Sequence, residues 1–178
     1  MYNLYVDGSC RGNGKENSNG GFGVIVIDVD PITHKETLVD AYSKQCENTT
    51  NNREELKAIL WAMLQYSRKR DESWGNCPIV YSDSAYCVNT FNEWMFSWAR
   101  NGWIKSDKKI PENLDLIQPF YNHKMKSYEI ELRKVKGHAG HRWNELADQL
   151  ATGAISAEEV MKGRIENGNY TRTFYERD

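Results

Sequence analysis

The chain lacks any cysteine pair spaced as C-x-x-C; its four cysteines, Cys10, Cys46, Cys77 and Cys87, are scattered. That excludes a zinc ribbon and a small disulfide framework, and it fits reduced thiols in a cytoplasmic protein. There is no excess of positive charge: 23 Lys and Arg stand against 25 Asp and Glu, a net of −2. No overall basic field therefore marks a nucleic-acid binder, and any such contact must rest on local cations. No apolar run approaches the roughly 18 residues of a membrane span. The N-terminus opens on a strand-like Tyr2-Asn3-Leu4-Tyr5-Val6 with neither the basic nor the apolar segment of a secretion signal. No membrane association is expected. Internal repeats and low-complexity linkers are also missing. What remains is a chain of 178 residues, 39% hydrophobic and 12% aromatic, enough for one well-filled core.

Tyr2 to Val6 reads as a first strand ending in Asp7-Gly8-Ser9. Gly20–Asp28 is a second, nearly all apolar, after a Gly/Asn/Ser-rich loop, and Lys35–Ser43 a third after the Asp30-Pro31 turn. Three strands on short links imply an antiparallel meander. The period then changes. Leu56, Ile59, Leu60, Met63 and Leu64 recur at helical spacing behind the capping residues Thr49-Thr50-Asn51-Asn52, predicting a helix that ends near Arg70. Cys77–Asp83 is a fourth strand, reached through a helix and so suited to a parallel crossover. Helices follow over Ala85–Phe91, from Trp94, and over Leu114–Lys126. Tyr128–Val135 alternates as a fifth strand, and Trp143–Ala151 is a helix. Ala157–Lys162 reads as a short helix in an otherwise loose tail. The expected fold is α/β, a five-stranded mixed sheet (three antiparallel strands, then two parallel) flanked by helices.

Asp7 and Asp83 each close an apolar strand. Neighbouring parallel strands bring their C-terminal ends together, where open α/β sheets build their sites. Glu55 borders the apolar face of the long helix one turn before Ile59. Asp148 lies on the last strong helix, one turn after Asn144. Four carboxylates meeting in one place would repel unless cations were bound. All-oxygen ligation suits Mg²⁺ or Mn²⁺ rather than zinc. A pair of such ions roughly 4 Å apart serves in-line phosphodiester displacement. Each acid also has an ordinary reading: Asp83 as cap of the helix from Ser84, Glu55 as a first-turn acid favoured by the helix dipole, Asp148 as a surface charge.

Taken together, Asp7-Gly8-Ser9, the string from Thr49 to Leu56 (TTNNREEL), Ser82-Asp83-Ser84, the string from Val135 to His141 (VKGHAGH), and Asn144 followed by Asp148 resemble type 1 ribonuclease H. The resemblance runs in order over residues 1 to about 152. It implies an RNase H-like fold and an endonuclease that cleaves the RNA strand of RNA–DNA hybrids, leaving 5′-phosphate and 3′-hydroxyl ends. It implies two Mg²⁺ ions, with Mn²⁺ able to substitute, held by Asp7, Glu55, Asp83 and Asp148. Of the adjacent glutamates the family pattern selects Glu55, directly before Leu56, and leaves Glu54 out. By similarity Asp7 bridges both ions, Asp148 helps hold the one that activates water, and Glu55 and Asp83 hold the one facing the leaving 3′-oxygen. His138 matches a loop histidine that assists proton transfer or product release, flanked by Gly137 and Gly140; the plain alternative is a surface pair with His141.

Choosing an RNA strand requires sensing 2′-hydroxyls, mostly across a wide minor groove. The resemblance assigns this to Asn13, Asn51 and Asn52, with Thr50 and Asn52 gripping a DNA-strand phosphate; helix capping is the ordinary role for Asn51 and Asn52. Asn144 is placed near the active site. Trp94, Trp98, Trp103 and Asn101-Gly102, with Arg100, Lys105, Lys108 and Lys109, resemble the family's protruding basic segment, a source of salt-dependent affinity. Trp98 and Arg100 are the expected contacts, and Trp94 the expected packing residue. Ala85 stands where many relatives carry a Gln. The expected organisation is a catalytic domain over 1–152 with an extension over 153–178, acting as a cytoplasmic monomer on RNA–DNA hybrid. The competing readings are a transposase- or integrase-like DNA nuclease of the same fold, a catalytically silent hybrid- or RNA-binding module, and a domain of a reverse transcriptase. The Met1 start and the tail favour a stand-alone protein over the last.

Overall fold

A computed structural model describes residues 1–12, 18–71, 77–136 and 141–167, the last four of these as backbone only. Strand β1 (Tyr2–Cys10) pairs antiparallel with β2 (Gly20–Val29) from Tyr2↔Asp28 to Cys10↔Gly20, and β2 pairs antiparallel with β3 (Glu36–Cys46). Helix α1 (Asn51–Tyr66) follows, then the short strand β4 (Arg68–Lys69) and β5 (Ile79–Ser82), which lies parallel to β1. Helix α2 (Ala85–Asn89) runs through a π-helical turn (Thr90–Trp94) into α3 (Met95–Arg100), and α4 (Leu114–Met125) precedes β6 (Tyr128–Glu129) and β7 (Glu131–Lys134). Helices α5 (Arg142–Thr152) and α6 (Ala157–Asn167) end the described chain. The five-stranded sheet has the order β3-β2-β1-β5-β7, with three strands antiparallel and the last two parallel to β1, as the sequence predicts.

Alternation along the strands divides the core in two. Leu4, Val6, Val24, Val26, Val80 and Leu132 point to α1 and α4, where Leu56, Ile59, Met63, Ile117 and Phe120 meet them. Tyr5, Ile25, Ile27, Leu38 and Ala41 point to the other face, under Trp143, Leu146, Ala147 and Leu150 of α5. Each such large side chain contributes about 1.5–3 kcal/mol on burial. Helix α5 is fastened to β3 at both ends. Arg142 and Trp143 Nε1 donate to Glu36 at 2.6 and 2.7 Å, and Gln45 Nε2 donates to the Ala151 carbonyl at 3.1 Å.

The structure departs from the sequence reading in five places. Strand β1 runs on past Asp7 to Cys10, so Asp7 lies within it and does not close it. Helix α1 stops at Tyr66 rather than near Arg70, because Ser67 turns extended and Arg68–Lys69 pairs with Tyr128–Glu129. The expected fifth strand therefore splits at Ile130: its first half joins that small ribbon, held by Arg70 and Lys124 on Glu129, and its second half joins the main sheet. The two short helices after Asp83 are one continuous rod with a π turn inside it. The tail is also better packed than it reads, for Ser156 and Glu159 cap α6 reciprocally, and Ile155 and Val160 enter the core cluster under α5. No helix among the described residues is long and apolar enough to cross a membrane.

Candidate active site

Two glycines let the site close. Asp7 pairs with Gly23 across β1 and β2, and a Cβ on Gly23 would lie 2.5 Å from the Ala147 carbonyl oxygen. The bare strand thus lets α5 settle beside Asp7, and Asp148, one residue beyond Ala147, arrives with it. On the other face, a Cβ on Gly8 would lie 2.3 Å from the Glu55 backbone nitrogen, so β1 touches the first turn of α1. Asp83 follows β5, the parallel neighbour of β1.

The result is a cluster in which Asp7, Glu55 and Asp83 each offer an oxygen, all within 4.8 Å of one another. Glu55 is 4% exposed. It accepts from Ser82 Oγ at 2.7 Å and from the Gly8 backbone N–H. Burial, with Asp83 adding to it, pushes the Glu55 carboxyl up to about 8 even though both hydrogen bonds favour its charged form. Asp7 is pushed up to about 10, first by burial, then by Glu55, by a side-chain hydrogen bond with Asp148, and by Asp83. Asp148 is exposed and sits at the rim, touching the cluster through Asp7. The ordinary reading of Asp83 does not hold, since the cap of α2 is Ser84, whose Oγ accepts from the Cys87 N–H at 3.1 Å. Glu54 is buried as well, but apart from the cluster: its Oε2 accepts from Thr49 Oγ1 at 2.8 Å and pairs with Lys57 at 2.7 Å.

The family model described as RNase H matches residues 1–156. A ribonuclease H from Thermoanaerobacter sp. (strain X514) is 37% identical over 166 residues, 92% of each chain. One from Rhodopseudomonas palustris (strain HaA2) is 40% identical over 163 residues, 91% of this chain and 89% of that one. Among solved structures, LC9-RNase H1, a type 1 RNase H with the type 2 active-site motif, superposes with a TM-score of 0.68 at 31% identity, covering 86% of this chain and 71% of that one. The chain belongs to the ribonuclease H family. It is accordingly an enzyme, a hydrolase of the endonuclease class.

Around this ribonuclease H centre, Thr50 is the cap of α1, accepting from the Arg53 N–H at 3.1 Å. Asn51 and Asn52 are thereby excused from capping and stand exposed on the first turn beside Glu55. Asn144 is half-buried in the first turn of α5, one turn before Asp148. The tryptophans are exposed in the opposite order to the one expected: Trp94 is 39% exposed, while Trp98 is half-buried against the core. Arg100, Lys108 and Lys109 are exposed. His138 and Asn13 lie outside the described residues. Sequence reading missed two connections: Ser82 on Glu55, and the contact of Arg53 with Asp115 and Asn113, whose amide reaches Tyr86 Oη at 3.2 Å and so ties α1 to α2. The only sequence signal for the first is the polar residue preceding Asp83 in an otherwise apolar strand.

Proposed function

We propose that the chain hydrolyses the RNA strand of RNA–DNA hybrids with two divalent ions, Mg²⁺ or Mn²⁺, leaving 5′-phosphate and 3′-hydroxyl ends. The observation that carries the reading is the meeting of Asp7, Glu55 and Asp83 within 4.8 Å. Three carboxylates so placed, two of them resisting ionisation, form an oxygen-only site whose charge calls for a hard cation. The donor set fits such ions, with Asp7 central, Glu55 and Asp83 on one side, and Asp148 reaching in at the rim. When bound, divalent ions there supply activation of water near neutral pH and offset charge developing on the phosphate.

The chain's own residues do the rest. Gly8 and Ser82 hold Glu55 in place, while the Asp7–Gly23 pairing and α5 bring Asp148 to the same edge. Asn51, Asn52 and Asn13 read 2′-hydroxyls, and Thr50 with Asn52 takes a DNA-strand phosphate. Asn144 lies within one helical turn of Asp148, and His138 moves a proton or frees the product. Trp98 and Arg100 meet the hybrid through the α3 segment, and the exposure of Trp94 adds it to that surface. The protein acts as a cytoplasmic monomer, with residues 1–152 as the catalytic domain and 153–178 as an extension whose helix completes the packing on β3.

The test is cleavage of a labelled RNA–DNA hybrid with and without Mg²⁺, wild type against Asp83→Asn, beside duplex RNA, duplex DNA and single-stranded RNA. The expected result is cutting of hybrid alone, with metal alone, by wild type alone. Wild type that binds hybrid yet cuts under no divalent ion would leave a binding module. Cutting of duplex DNA would make the protein a DNA nuclease of the same fold.

A further inference from the structure

The residue before Asp83 is chemically out of place. Strand β5 reads Ile79-Val80-Tyr81-Ser82, and Ser82 lies on the same face as Val80, 0% exposed, where the neighbouring strands supply Leu4, Val6 and Leu132. Its hydroxyl both donates and accepts. The oxygen accepts from the Ser84 N–H at 3.1 Å, and the single proton goes to Glu55 Oε1 at 2.7 Å. The Ser84 N–H takes one of the two lone pairs of the Ser82 oxygen, and the hydroxyl proton points to Glu55, which accepts it when ionised.

Glu55 needs such a bond. It is the member of the three-acid cluster contributed by a helix rather than by the sheet strands or the turn after them, and it arrives on a side chain with three rotatable bonds. Its helix is held to β1 at the backbone, where Gly8 meets the Glu55 nitrogen. The carboxylate itself is held by the Gly8 N–H and the Ser82 O–H, on two adjacent parallel strands. Ser82 therefore links the position of Glu55 to the strand that ends in Asp83.

We propose that Ser82 is a positioning residue for Glu55: its hydroxyl fixes that carboxylate against β5 so that Asp7, Glu55 and Asp83 face one cation together. This rests on the metal-dependent reading of the cluster given above. A partner that orients a metal-ligating carboxylate typically changes metal affinity about 10- to 100-fold when removed. A buried serine with a merely structural role would change the unfolding temperature and leave metal affinity alone.

The experiment titrates Mg²⁺ against thermal unfolding, without nucleic acid, for wild type, Ser82→Ala, Ser82→Thr and Glu55→Gln. Hybrid cleavage is followed against Mg²⁺ concentration in parallel. Ser82→Ala is expected to raise the Mg²⁺ concentration for half-maximal stabilisation by about 10-fold or more. The same displacement should appear in the cleavage titration, with much of the rate recovered at high Mg²⁺, and Ser82→Thr, which keeps the hydroxyl, should restore the wild-type midpoint. Should the alanine variant not fold, Ser82→Cys keeps the volume with only a weak donor and takes its place. An unchanged Mg²⁺ midpoint in the hydroxyl-free variant, with Glu55→Gln displaced, overturns the role of Ser82 and leaves the metal site standing. A wild type neither stabilised by Mg²⁺ nor active with it overturns both.

Discussion

Replacing Asp7 by Asn should make the metal-free protein more stable at alkaline pH. The Asp7 carboxyl is pushed up to about 10 in the folded chain by burial and by Glu55, Asp148 and Asp83. In the unfolded chain it ionises near 4. From pH 4 upward the folded state keeps a proton that the unfolded state has released, so stability falls as pH rises until the folded value is passed. Each pH unit crossed costs about 1.4 kcal/mol, giving a ceiling of about 5.5 kcal/mol at pH 8 and about 1.4 kcal/mol at pH 5. Side-chain rearrangement and solvent at the rim reduce both, and a gain of about 2 kcal/mol for Asp7→Asn at pH 8 is expected, shrinking to a few tenths at pH 5. The assay is urea unfolding of both proteins at pH 5 and pH 8 in chelator, then in saturating Mg²⁺. Taking the difference between the two proteins removes the titrating groups away from the cluster, while Glu55, Asp83 and Asp148, which act on Asp7, remain part of the measured difference. In Mg²⁺ the order should reverse, because binding to the folded state stabilises wild type and not the variant. Equal stabilities at pH 8 in chelator, or a difference independent of pH, would refute the reasoning.

Two further outcomes test the packing that builds the site. Gly8→Ala should cost about 3 kcal/mol or more by urea unfolding, because its Cβ would sit 2.3 Å from the Glu55 nitrogen and 2.6 Å from the Glu54 carbonyl carbon, backbone atoms that cannot swing aside. Val160→Ala should cost about 2 kcal/mol by the same measurement, since Val160 is 0% exposed in the cluster under α5; a neutral substitution would mean that α6 adds little to the core.

The central sheet was legible because its strands carry their own signals: apolar runs, bounding turns, and a change of period where α1 begins. Asp7 and Asp83 were legible for a related reason, both being acids that follow an apolar run, although β1 continues past Asp7 to Cys10 and only Asp83 stands at a strand end. Features set by distant pairing were not. Arg68–Lys69 has no strand character of its own and becomes a strand only because Tyr128–Glu129 lies beside it. Helix α6 enters the core through few apolar residues, too sparse to announce a buried face. The exposure of the tryptophans is set by tertiary packing, Trp98 lying against the core cluster and Trp94 beside Tyr86 and Trp98 at the surface, which a helical period does not carry. Ser82 carried only the hint of a polar residue in an apolar strand, because its partner lies 27 residues earlier on another element.

The pair Glu54-Glu55 shows how narrowly such a site is specified. Both side chains are buried, and on a helix they point about 100° apart. One is neutralised locally, its carboxylate taken by Thr49 and Lys57. The other is delivered to two further acids with no cation among the described residues that shift it. Their chemistry is identical, so the difference lies in register. Thr50 fixes where α1 starts, and Gly8 admits the backbone at Glu55 so closely that the helix cannot slide along β1. A slip of one residue would aim Glu54 at the cluster, away from Thr49 at the helix entry, and would carry Lys57 to the wholly buried place that Ala58 fills. The cost of burying that lysine thus opposes the wrong register, and the repulsion at Glu55 is tolerated because the correct register leaves it facing a place where a cation can stand.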